Sequence, residues 1–233
     1  MGELPGFLGP GKYAIDAYYR HLTGKLARIR RELDKLRKMR RIRRESRRRL
    51  GYPQVSIVGY ASAGKTSLFN LLTGERKPVG EEYFTTLHPK HKLVTYRESK
   101  FILVDTVGFI RDIPPEVIEA FYATLEEISE SDLILFVVDV SDRPSLLSEK
   151  ISSGLDILAR IGASTVPQVI VANKTDLVDN PLERISLITN LIKNKYDYDI
   201  PIIPLSAKTG AGLQKLLEYI THMLRDRRTI RGV

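Results

Sequence analysis

The chain has 233 residues, 42% hydrophobic and 28% charged, the balance of a globular protein long enough to bury a core. It has no cysteine, which excludes disulfide scaffolds, zinc–thiolate centres and cysteine nucleophiles, and its four histidines (His21, His88, His91, His222) show no metal-ligand spacing. The net charge of +9 is concentrated: Arg20 to Arg49 holds fifteen lysines and arginines against Glu32, Asp34 and Glu45, a net of +12. Such imbalance points to an anionic partner for that segment alone. No apolar run reaches the length of a membrane span and no leader is evident, so a cytoplasmic protein without membrane partners is expected.

In chain order, the first sixteen residues are rich in Gly and Pro and read as loop. Tyr19, Leu22, Leu26, Ile29, Leu33 and Leu36 then follow alternating spacings of three and four, a heptad seam on a long basic α-helix that Gly51 and Pro53 end. At about 1.5 Å per residue this helix would reach about 45–50 Å. Exposed, its seam would invite self-association. From Gln54 onward, apolar β-branched runs at 55–58, 101–104, 133–138, 166–171 and 200–205 alternate with helical patterns near 65–73, 115–129, 145–161, 182–195 and 213–225. This rhythm predicts an α/β fold with helices on both faces of a mostly parallel sheet. His91–Tyr96 lies too close to the 101–104 run for a parallel crossover, so one antiparallel edge strand is expected, six strands in all. The expected organisation is residues 1–51 as loop plus basic, coiled-coil-like helix and 52–233 as a nucleotide-binding domain.

Four motifs follow strands in order. Gly59-Tyr60-Ala61-Ser62-Ala63-Gly64-Lys65-Thr66, with Ser67 adjoining, fits the P-loop pattern between a strand and a helix. Its glycines let backbone N–H groups converge on phosphate oxygens, Lys65 would reach the β- and γ-phosphates, and Thr66 would ligate Mg²⁺. Asp105-Thr106-Val107-Gly108 follows the next strand: Asp105 can enter the Mg²⁺ shell and Gly108 can offer its N–H to a γ-phosphate. Asn173-Lys174-Thr175-Asp176 supplies a carboxylate for guanine N1–H and the exocyclic amine, a donor pair that adenine lacks. Asn173 would fix the loop, and the Lys174 stem can lie along the ring. Ser206-Ala207-Lys208 would complete the base pocket, with the Ala207 N–H near guanine O6. Motifs at the carboxyl ends of strands agree with where open α/β sheets bind ligands.

These motifs resemble the translation-factor-like class of P-loop GTPases over residues 54–226. Finer matches resemble the HflX family: Gly59-Tyr60, the stretch Phe84-Thr85-Thr86-Leu87-His88-Pro89, and Asp105 through Pro114. Glu119-Ala120-Phe121, Thr124-Leu125-Glu126-Glu127 and the Gly9-Pro10-Gly11 loop before an arginine-rich helix match too. The resemblance implies a GTPase that associates with the large ribosomal subunit and acts in splitting ribosomes. It aligns Thr86, with Thr85 adjacent, with a switch I threonine that contacts Mg²⁺ and senses the γ-phosphate, beside Lys65 in the catalytic role. It also marks departures. Set against that family, the sequence holds little of the amino-terminal α/β domain and shows only a short basic tail after Arg225, so a fragment or a shortened relative is expected. Ser62 stands where relatives often carry an asparagine that serves K⁺-activated enzymes.

Phosphoryl transfer depends on positioning and charge neutralisation. Phe109 stands where Ras-like enzymes hold a water-orienting glutamine, so slow intrinsic hydrolysis is expected, the water being oriented by backbone, another side chain or the ribosome. The basic helix favours contact with RNA phosphates over a merely solvated arm, since a net of +12 demands counterions, and the resemblance makes that RNA the large subunit's. Two functions remain open: a GTP-hydrolysing ribosome factor, or a GTP-gated RNA- or protein-binding module with negligible turnover.

Overall fold

A computed structural model describes residues 51–75, 90–106, 108–109, 128–196 and 199–230, with His21, 23–25, Arg28 and Arg31 before them. The chain divides into two compact units, Met1–Gly51 and Tyr52–Val233. In the first, His21, 23–25, Arg28 and Arg31 are helical and exposed, and Gly51 stands in an exposed turn. The heptad residues Tyr19, Leu22, Leu26, Ile29, Leu33 and Leu36 lie outside the described residues, as do switch I with Thr85 and Thr86 and nearly all of the helix expected over 115–129.

The second unit is built on six strands: β1 (Gln54–Gly59), β2 (Lys90–Tyr96), β3 (Ser99–Asp105), β4 (Leu133–Asp139), β5 (Gln168–Asn173) and β6 (Ile202–Pro204). Their order in the sheet is β2-β3-β1-β4-β5-β6. The pair β2–β3 is antiparallel and the other pairs are parallel, as the sequence predicts. Arg97, left-handed at φ 51°, helps turn the short β2–β3 connection. The helices are α1 (Lys65–Thr73), α2 (Pro144–Arg160), α3 (Pro181–Lys195) and α4 (Leu213–Ile230). Prolines set several boundaries. Pro144 and Pro181 open α2 and α3, where the lost N–H costs nothing, and Asn180 caps α3 by accepting from the Glu183 N–H at 3.3 Å. Pro167 cannot donate to the ladder, so β5 starts at Gln168 rather than 166, and β6 is cut to three residues beside Pro201.

Side-chain alternation divides the core between the two faces of the sheet. Leu133, Leu135 and Val137 of β4 pack with Leu68, Phe69 and Leu72 of α1 and Leu216, Ile220 and Leu224 of α4. The intervening Ile134, Phe136 and Val138 pack with Leu147, Ile151 and Leu155 of α2 and Ile188 and Ile192 of α3. A strand buried on both faces needs the unbroken apolar run that β4 shows. Among the described residues, no helix is long and apolar enough to cross a membrane.

Gly154 lets α2 approach the sheet: a Cβ there would lie 2.3 Å from Phe136 Cζ, at the tip of a fully buried ring. Gly154→Ala should therefore lower stability by about 1–3 kcal/mol, although helix propensity alone favours alanine by about 1 kcal/mol. Chemical denaturation of the two proteins decides the sign.

Candidate nucleotide-binding site

The parallel strands bring Gly59, Asp105, Asp139 and Asn173 to one edge of the sheet, at the carboxyl ends of β1, β3, β4 and β5. Beyond β1 the chain turns through Ser62, left-handed at φ 61°, and Gly64 at φ 92° before entering α1. Gly64 meets two demands: its φ disfavours a side chain, and a Cβ would fall 2.3 Å from Asn173 Nδ2. No side chain caps the start of α1 and no acid stands in its first turn, an arrangement suited to receiving an anion. Thr66 and Ser67 lie half-buried in that turn, after the buried Ala63 and Lys65.

The Lys65 ammonium donates to the Tyr60 carbonyl at 2.7 Å. A Cβ on Gly108 would come within 2.7 Å of Lys65 Nζ and 3.4 Å of the Ala61 backbone, so the Asp105–Gly108 loop lies directly against the phosphate cradle. Burial pushes Lys65 down to about 8, with the Asp105 carboxylate acting in the opposite direction. Asp105 is fully buried. Its carboxylate and the Thr66 hydroxyl are hard oxygen donors suited to Mg²⁺. Among the described residues no group of three or more His, Cys, Asp or Glu could hold a metal by itself. The donor set thus fits a cation that takes one carboxylate and completes its shell with water and substrate phosphates.

The base side is a connected network. Asn173 is buried; its Nδ2 donates to the Ala63 carbonyl at 2.8 Å and its Oδ1 accepts the Ala207 N–H at 2.9 Å. The Ala207 N–H expected at guanine O6 is thus already donating to Asn173. Ser206 donates to Asp176 Oδ1 at 2.6 Å and accepts the Thr209 N–H at 3.2 Å. That bond, ahead of the Lys208 and Lys174 charges, holds the Asp176 carboxyl below its usual range. Asp176 is exposed and stays ionised, an acceptor-only group facing outward. Lys174 is left-handed at φ 66°, and Lys208 is exposed.

Several contacts were not legible in the motifs. Thr106 donates to the Ile57 carbonyl at 2.6 Å, tying β3 to β1 beside Asp105. Phe109 does more than lack a polar group. Its ring is buried edge-on between Tyr60 and Phe136, at centroid distances of 5.9 and 6.3 Å. Its N–H donates to the Gly59 carbonyl at 2.9 Å and its carbonyl accepts the Ala61 N–H at 3.0 Å. The only sign in the sequence was a large apolar residue next to Gly108.

A family model described as 50S ribosome-binding GTPase matches residues 54–174, and one described as GTP-binding GTPase Middle Region matches residues 1–47. The GTPase HflX of Hyperthermus butylicus is 53% identical over 228 residues, which are 96% of this chain and 60% of that protein. The chain belongs to the HflX family of GTPases. The HflX of Escherichia coli is 34% identical over 220 residues, 94% of this chain and 50% of that relative. The chain therefore spans between half and three-fifths of the length of these two HflX proteins. Among solved structures, a GTP-binding protein from the archaeon Sulfolobus solfataricus in complex with GDP superposes with a TM-score of 0.66 at 32% identity, covering 92% of this chain and 63% of that one.

A polyphosphate beside Lys65 favours its charged form, which burial disfavours in the absence of nucleotide. Nucleotide binding should therefore take up protons near pH 8–9, where Lys65 at about 8 is substantially neutral, and almost none at pH 6. Calorimetry in buffers of different ionisation enthalpy counts those protons, and Lys65→Met should abolish the pH-dependent part.

Proposed function

We propose that this chain binds GTP with Mg²⁺, hydrolyses it slowly to GDP and phosphate, and docks on the large ribosomal subunit in a nucleotide-dependent way. The observation that carries the base assignment is Asp176, kept ionised and oriented by Ser206 beside the Asn173 bridge to the phosphate loop. A carboxylate so held matches the two donors of guanine and repels the acceptor at adenine N1. The GDP held by the S. solfataricus relative supports the same reading.

Residues 59–67 and Gly108 cradle the phosphates in this reading. Lys65 neutralises charge on the β- and γ-phosphates, and Asn173, Lys174, Asp176, Ser206, Ala207 and Lys208 form the base pocket. Thr66, Asp105 and Thr86 hold Mg²⁺, which supplies charge neutralisation on the phosphate oxygens. No side chain of the described site offers a general base, and the Phe109 ring is turned into the core. Hydrolysis then rests on positioning and is slow until a partner orders the water. The same ring supports the second reading, a GTP-gated RNA- or protein-binding module with negligible turnover.

Residues 1–51 would act as the RNA-binding element of a cytoplasmic factor and 52–233 as the GTP-binding domain. The net of +12 between Arg20 and Arg49 suits RNA phosphates, with an affinity that falls steeply in salt.

Asp176→Asn replaces two acceptors by an acceptor and a donor. It should weaken GDP binding by roughly 10–100-fold and favour xanthosine diphosphate, whose C2 carbonyl accepts from the new amide. Competition against a fluorescent nucleotide measures both. Co-sedimentation with large ribosomal subunits at near-physiological salt should give pelleting with a non-hydrolysable GTP analogue and little with GDP. Equal pelleting in both states, lost in high salt, would mean nucleotide-independent adhesion to RNA. Subunits that leave the hydrolysis rate unchanged would favour the gated module.

A further inference from the structure

Asp139 ends β4 directly opposite Asn173 in the β4–β5 ladder, and the Val140 N–H donates to the Asn173 carbonyl at 3.0 Å. It is a buried acid outside the four motifs. Both carboxylate oxygens are committed. Oδ1 accepts the Ser141 N–H at 2.9 Å and the Ser141 hydroxyl at 2.6 Å. Oδ2 lies 2.6 Å from Lys174 Nζ, in a pair whose side chains are only 11% and 30% exposed. Bulk solvent and salt screen such a pair less than a surface one.

Lys174 stands two residues before Asp176, and its positive charge is felt there. An untethered lysine would sample many rotamers, including those that place the ammonium on the Asp176 carboxylate and compete with the base. The tether to Asp139 draws the ammonium to the β4 side and leaves the carboxylate open. We propose that Asp139 is a positioning residue for the base site: it pre-orders Lys174 as a flank for the guanine ring, keeps it off Asp176, and thereby slows nucleotide release. The inference rests on the guanine-nucleotide reading. Its physical content is preorganisation, because an ordered lysine loses less freedom when nucleotide binds.

The test is a double-mutant cycle on the release rate of a fluorescent N-methylanthraniloyl GDP from the full chain. Asp139→Asn keeps the shape and an acceptor for Ser141 but removes the charge facing Lys174. It should speed release by about 5–20-fold, Lys174→Met should speed it to a similar extent, and the double variant should be no faster than the quicker single one, since coupled groups are not additive. Ser141→Ala, which removes one bond on the other oxygen, should leave release unchanged.

An unchanged rate in Asp139→Asn would overturn the proposal, as would multiplicative effects in the double variant. A Ser141→Ala effect as large as that of Asp139→Asn would also overturn it, by assigning the role to the turn. A lowered melting temperature in Asp139→Asn with normal release would leave Asp139 only structural. Failure of the unaltered chain to bind the probe would instead defeat the guanine reading itself.

Discussion

The two hydrogen bonds of the Asn173 side chain hold the site together. One secures the Ala63 carbonyl of the phosphate loop and the other the N–H of Ala207, so a single amide joins three separate loops. Inside the protein each such bond is worth about 1 kcal/mol net, and leaving its buried partner unmade costs about 1–3 kcal/mol. The neighbouring sequence is shaped around it. Gly64 has no room for a Cβ because the Asn173 amide occupies that space, and the β4–β5 register sets Asn173 level with Asp139. The phosphate loop and the proposed base pocket are thus joined through one side chain.

Around that unit, the sheet provides rigidity and the loops provide chemistry. β1, β3, β4 and β5 each pair with a strand on both sides and are buried toward their carboxyl ends, which holds those ends relative to one another. The proposed ligand-binding groups sit at the strand ends, as Asp105 and Asn173 do, or in the connections beyond, where the backbone takes left-handed turns at Ser62, Gly64 and Lys174. Charge is arranged by the same geometry: a buried ammonium at Lys65 beside a buried carboxylate at Asp105, and an exposed carboxylate at Asp176 that Ser206 keeps ionised.

The fold was legible because its signals are local. Apolar runs bounded by turn residues located β1, β3 and β4, and the short connection between β2 and β3 forced the antiparallel edge. Strand ends near Pro167 and Pro204 were harder, since apolar residues continue past the point where ladder hydrogen bonds can form. The motif residues were legible because the chemistry proposed for them, phosphate and guanine binding, calls for those residue types at those spacings. What stayed hidden was any contact between residues far apart in sequence: the Thr106–Ile57 bond, the Asp139–Lys174 pair, and the Ala207 N–H turned to Asn173. A phenylalanine at 109 announces only that a polar group is missing, and its seat between Tyr60 and Phe136 follows from tertiary packing.

That seat anchors Phe109 twice, by its ring and by its backbone. The Phe109 backbone adds one rung of parallel ladder to the phosphate loop, and its ring completes an aromatic column that ends on Gly154 of α2. Close-packed rings do not slide by degrees. Withdrawing the ring would leave a void over the helix and strain both backbone bonds. Ring packing and backbone pairing at Phe109 are therefore coupled, so a change in either is felt by the other directly beside the phosphate loop.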